Sequence, residues 1–125
     1  MLEGWGGMYM LDLIPAGICG VMPGLAVSDL LVKVFQLATN NEMEEAHKIF
    51  EGVLPQIVFS LQHLELFHHA EKRLLAARGI VGETVVRQLT LRRDKHLEDR
   101  ILFLNRQILN LLDRLGLPHN PIVVE

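Results

Sequence analysis

The sequence predicts an α/β fold, mostly α by content, that forms the end of a larger parallel-sheet protein. Three observations lead there. The stretch Gly17-Ile-Cys-Gly-Val-Met-Pro-Gly24 sets four apolar residues around one glycine, the pattern of a short strand buried on both faces. Pro23-Gly24 then breaks the strand, and almost everything after Ser28 carries helical periodicity. A lone strand-turn-helix unit cannot close a sheet, so further strands are expected from elsewhere.

The elements follow in order. Met8 to Ile14 is a short apolar turn or helix ended by Pro15 and Gly17, and the strand Ile18–Met22 comes next. A helix is predicted from about Ser28 to Thr39, with Ser28 capping its free amides and Asn40-Asn41 stopping it. Asn41 with Glu44 reads as a capping box for the following helix, which sets Met43, Ala46, Phe50, Val53 and Leu54 on one face. Pro55 predicts a kink or break. More helix runs from Ile57 to Arg78, closed by Gly79, and a connector begins at Gly82-Glu83 and extends to Arg93. The last helix starts near Asp94 and ends at Leu115 before Gly116 and Pro118. Its Leu97, Ile101, Leu104, Ile108, Leu111 and Leu115 repeat at 4-3-4-3-4 spacing, an apolar seam expected to pack on the core, with Leu102, Phe103, Leu109 and Leu112 widening it.

Bulk properties narrow the function classes. Half of the 125 residues are hydrophobic, which argues against disorder, and the formal charge of -3 gives no general pull toward nucleic acid or an anionic membrane. No apolar run is long enough to span a bilayer. The single cysteine, Cys19, fits a reducing compartment and is expected to pack as a small apolar residue. Met1-Leu-Glu-Gly-Trp shows no basic region followed by an apolar core, so the expected location is the cytoplasm. Glu42 to Glu71 is rich in acid and Lys72 to Arg114 in base, which predicts complementary charge between neighbouring helices or subunits rather than a nucleic-acid surface.

Candidate chemistry is sparse. Gly4-Trp-Gly-Gly7 and the glycines Gly17, Gly20 and Gly24 match neither a P-loop nor a dinucleotide fingerprint, and serve better as close-approach points for backbone or ligand. His63, His68 and His69 lie five and six apart, not at the i, i+4 spacing that places two metal ligands on one helix face. Lys33, Lys48, Lys72 and Lys95 all fall on amphipathic helical stretches, where a solvated charge is expected and not a desolvated nucleophile.

Leu2-Glu-Gly-Trp-Gly-Gly7, followed by Leu13-Ile-Pro-Ala-Gly-Ile-Cys-Gly-Val-Met-Pro-Gly-Leu-Ala26, resembles the seventh and eighth βα units of the dihydrodipicolinate synthase/N-acetylneuraminate lyase family. Ala46 with Phe50, Leu54-Pro55, Lys72-Arg-Leu-Leu-Ala-Ala-Arg-Gly-Ile80 and Val86-Arg87 resemble that family's helical C-terminal region in order and spacing. The resemblance implies a C-terminal fragment of a (β/α)8 TIM barrel, strands 7 and 8, followed by a helical region. The implied division is 1–41 for the last two βα units and 42–125 for the helices. Members are class I aldolases and lyases that hold pyruvate or another 2-keto acid as a Schiff base on a lysine of the sixth strand, with a proton-shuttling tyrosine on the fourth. No cofactor or metal is implied.

Carried over residue by residue, Gly4 matches the glycine ending strand seven. Met22 matches the residue ending strand eight, whose backbone carbonyl faces the Schiff-base region; both are expected to be substrate-binding. The catalytic lysine and tyrosine segments are absent, so no catalytic residue is assigned and the chain is expected to be inactive alone. Tyr9, in the helix after strand seven, is not the catalytic tyrosine. Trp5-Gly6 stands where many members have two acidic residues, and Leu89 where proline is usual. The expected partner is a further copy of the chain or the missing barrel half. The alternative from another class is a non-catalytic helical interaction or assembly protein.

Overall fold

A computed structural model of the protein describes residues 1–82, 84–86, 92 and 94–119. Two short strands, β1 (Leu2–Glu3) and β2 (Gly20–Val21), lie parallel with Leu2 opposite Gly20 and Glu3 opposite Val21. Between them runs α1 (Met10–Leu13), flanked by 3-10 turns at Trp5–Gly7 and Ile14–Ala16. A third 3-10 turn, Leu25–Val27, leads into α2 (Ser28–Thr39), α3 (Met43–Ser60), α4 (Leu64–Ala77) and α5 (Lys95–Leu115).

The strand within Ile18–Met22 does not stand alone in this chain, since β1 and β2 pair with each other. The ladder is extended by Cys19 N–H to the Met1 carbonyl at 3.0 Å and Met22 N–H to the Glu3 carbonyl at 2.9 Å. The strand is also not buried on both faces. Ile18 is buried, but Cys19 and Met22 are exposed and Gly20 and Val21 only half-buried. Helices cover one face alone. Val21 packs against the main core, whereas Leu2, which a Cβ on Gly20 would touch at 3.1 Å, stays 55% exposed on the other face. Cys19 therefore does not pack as an apolar residue; its thiol donates to the Met1 carbonyl at 3.2 Å.

In α2, Leu30, Leu31, Val34 and Ala38 are buried against α3. Ser28 is not the cap: it is the first helical residue, and its hydroxyl donates to the Leu25 carbonyl at 3.0 Å. The capping box of Asn41 with Glu44 does not form either. Asn41 takes a left-handed conformation (φ 63°) that turns the chain, and Glu42 N–H closes back on the Leu37 carbonyl at 2.9 Å. Asn41 thus ends α2 and is not available to start α3.

Helix α3 continues unbroken past Pro55 and stops at Ser60. The proline forfeits one bond to the Glu51 carbonyl, but Glu51 is on the exposed side, where water can take that bond. The break comes instead at Leu61–His63, within the stretch expected to be one helix. There the His63 ring Nδ1 caps α4 by accepting the Glu65 N–H at 3.1 Å. Gly79 closes α4 in the left-handed region, as expected, with Ile80 N–H on the Leu75 carbonyl at 2.9 Å.

Helix α5 matches its expected bounds and caps: Asp94 accepts the Leu97 N–H at 2.9 Å, and Gly116 is left-handed. The seam packs on the core, with Ile101, Leu104, Ile108 and Leu111 all buried. Leu109 and Leu112 widen it, whereas Leu102 and Phe103 face solvent and do not. Between helices, Arg73 and His69 both meet Glu98 and Arg78 meets Asp29, whereas Lys48–Glu45 and Lys95–Asp99 stay within one helix. Among the described residues no helix is long and apolar enough to cross a membrane. Glu83, Arg87, Leu89 and Arg93 lie outside the described residues.

Candidate functional site

The carboxyl ends of β1 and β2 lie side by side, and each strand gives way to a glycine-bearing turn. After β1, Trp5 (φ 50°), Gly6 (φ 66°) and Gly7 (φ 87°) all take positive φ. Two glycines make that run accessible; Trp5 is held there against its steric preference. After β2, Pro23-Gly24 leads into the Leu25–Val27 turn.

Gly4 and Met22, the two expected substrate-binding residues, are brought together at this end. A Cβ on Gly4 would lie 3.9 Å from Met22 Cε. Beyond them opens a cleft of about 440 Å³ whose walls include Trp5, Met22, His63, Leu64 and Phe67. Trp5, Met22 and Leu64 are 70%, 57% and 71% exposed, so apolar surface dominates the mouth.

Helix α4 fixes the second turn with two side chains seven residues apart. Glu71 accepts the Ala26 N–H at 2.8 Å. Arg78 donates to the Ala26 carbonyl at 2.6 Å and holds both carboxylate oxygens of Asp29, at 2.8 and 2.5 Å. Both backbone polar groups of fully buried Ala26 are therefore met by α4. The Arg78 bond holds the Asp29 carboxyl below the ordinary aspartate range, against an opposing effect of burial. Burial pushes the Glu71 carboxyl up, only partly offset by the Ala26 N–H. Burial also raises Glu3, whose Oε1 accepts the Tyr9 N–H at 3.4 Å and whose Oε2 has no partner.

Gly24 is where the clamp demands glycine. A Cβ there would overlap the Glu71 carboxylate. Gly24→Ala is expected to swing Glu71 aside and leave the buried Ala26 N–H unpaired, costing about 1–3 kcal/mol. Chemical denaturation measures it, and a loss below about 0.5 kcal/mol would mean that the carboxylate does not hold that turn.

The three histidines do three separate things. His63 caps α4 at the cleft, His68 is exposed and meets the Phe67 ring edge-on, and His69 is buried with Nε2 3.2 Å from Glu98 Oε1. Burial would raise Glu98, but bonds from Arg73 and His69 outweigh it and hold its carboxyl below the ordinary range. Among the described residues no group of three or more His, Cys, Asp or Glu side chains is placed to hold a metal. Lys33, Lys48 and Lys95 are exposed and Lys72 reaches the Val85 carbonyl at 2.5 Å, so none of the four lines the cleft.

Sequence reasoning missed Glu71, Arg78 and Gln56. A signal existed: Gln56 and Ser60 sit at i+3 and i+7 from Val53, and Glu71 four after Phe67, as polar residues on otherwise apolar helical stripes.

No protein-family model and no curated protein matches the sequence. A solved structure does. The chain is similar to dihydrodipicolinate synthase from Rhodopseudomonas palustris, with a TM-score of 0.76 and 24% identity, over 85% of this chain and 35% of that one. It shares the fold of about a third of that enzyme's length.

Proposed function

We propose that this chain is the C-terminal part of a dihydrodipicolinate synthase-like lyase or aldolase. In this reading β1 and β2 are the seventh and eighth barrel strands, 1–41 the last two βα units and 42–125 the helical region. Pyruvate, or another 2-keto acid, would be bound as a Schiff base on a lysine outside these 125 residues. The iminium would act as an electron sink while a carbon–carbon bond forms or breaks beside it. Gly4 and Met22 would contribute backbone to the pocket wall.

The observation that carries this reading is their meeting at the carboxyl ends of two parallel strands, the end of a barrel where active sites are built. The open side of β2 supports it as well. A groove of about 450 Å³ runs there, lined mainly by apolar groups such as Val21, Leu31, Val32 and Phe35. A groove of that character suits the next βα unit of a barrel, from the rest of a longer chain or from a partner chain.

Borohydride reduction in the presence of pyruvate, followed by intact mass measurement, tests the assignment of the nucleophile. The 125-residue chain is expected to gain no adduct. A stoichiometric adduct on Lys33, Lys48, Lys72 or Lys95 would place the Schiff base within this chain and overturn the reading.

A further inference from the structure

Below the cleft, and sharing Gly6, Gly24, Leu61 and Phe67 with it, lies a small cavity of about 10 Å³. That is room for one water-sized group. Three polar side chains line it, Gln56, Ser60 and Glu71, and no Lys, Arg or His does. Gln56 is 5% exposed, and its buried Oε1 has no partner. The buried Ser60 hydroxyl spends its proton on the Ile57 carbonyl at 3.0 Å, so toward the cavity its oxygen can only accept. Glu71 takes the Ala26 N–H on Oε1 and keeps lone pairs to spare. No described ion pair neutralises it.

The cavity thus offers three acceptors, one of them a carboxylate, and its one side-chain donor group is the Gln56 amide nitrogen. A water can give only two hydrogens and brings no charge. An alkylammonium group gives three hydrogens and a positive charge in the same volume. Burying an ionised carboxylate without a cation is costly, so the site gains more from the ammonium.

We propose that this cavity binds the protonated amine head of a small ligand whose apolar body lies in the cleft beside Trp5, Leu64 and Phe67. The aromatic rings of Trp5 and Phe67 suit that body, and Phe67 borders both spaces. This goes beyond the lyase reading: no Schiff base is involved, and pyruvate trapping does not bear on it.

Isothermal titration of the full chain with benzylamine hydrochloride and, separately, with benzyl alcohol at neutral pH tests the proposal. Benzylamine is expected to bind saturably, at least about tenfold more tightly than the alcohol, the discrimination expected from one charge-assisted bond. Glu71→Gln keeps a carbonyl for the Ala26 N–H and is expected to erase that preference. In an amide-resolved NMR titration the Gly24 and Ala26 signals are expected to move with amine and not with alcohol. Equal affinity for amine and alcohol, or no saturable binding of the amine by the unaltered protein, would overturn the proposal and leave the cavity to water. That comparison needs no variant, so it stands even if Glu71→Gln fails to fold.

Discussion

Arg78→Leu is expected to lower the stability of the chain by about 3 kcal/mol, a large part of the roughly 5–15 kcal/mol that holds a domain of this size together. The arginine side chain is 5% exposed and bridges α4 to the start of α2 through Asp29 and the Ala26 carbonyl. Leucine fills some of the volume but leaves that buried carbonyl without a donor, at about 1–3 kcal/mol. Asp29, 42% exposed, recovers water and so limits the remainder. The loss should appear as a lowered denaturant midpoint with unchanged slope.

The same pair carries a pH signature. Asp29 has a folded pKa below its unfolded value, so its contribution is complete above the ordinary aspartate range and is lost as pH falls through the folded pKa. The stability gap between the natural protein and Arg78→Leu should therefore narrow in acid. Equal midpoints at neutral pH would show that the clamp on Ala26 does not stabilise the fold.

Ile108→Ala is expected to cost about 2–5 kcal/mol, and Phe103→Ala, five residues earlier on the same helix, less than about 0.5 kcal/mol. Ile108 is fully buried within the main core, which also includes Leu111, Leu112, Val53 and Leu74. Its truncation removes buried methyl groups and leaves a cavity that the neighbouring helices cannot fully close. Phe103 is 50% exposed and touches Arg100 across its ring, a contact worth little in water. Equilibrium unfolding of the two variants separates them. Similar losses at both positions would mean that Phe103 is covered in solution, as an α5 pairing with another copy of the chain would require.

Legibility in the sequence follows from how far apart the cooperating residues are. The bounds and caps of α5, the left-handed stop at Gly79 and the buried seam from Ile101 to Leu111 were readable because caps and helical periodicity are written in neighbouring residues. Gly4 and Met22 were singled out through family resemblance alone; nothing in their own residue types marks a site.

Other features belong to tertiary structure. Pro55 predicts a break that packing on both sides of α3 overrides, while His63, with no strong local break signal, starts a helix. Asn41 could begin one helix or end the previous one, and the left-handed turn that joins α2 to α3 decides for the end. Cys19 and Met22 are apolar in sequence yet exposed, because helices cover only one face of the strand pair.

By itself, then, the sequence determined where α4 and α5 stop and which seam of α5 is buried. Each of these depends on interactions within a few residues. Only the tertiary structure decided which polar residues on apolar stripes are used. Glu71 finds Ala26 across 45 residues and Arg78 finds Asp29 across 49. A buried polar group is stable only when such a partner is delivered to it, and no local pattern records which distant residue will arrive.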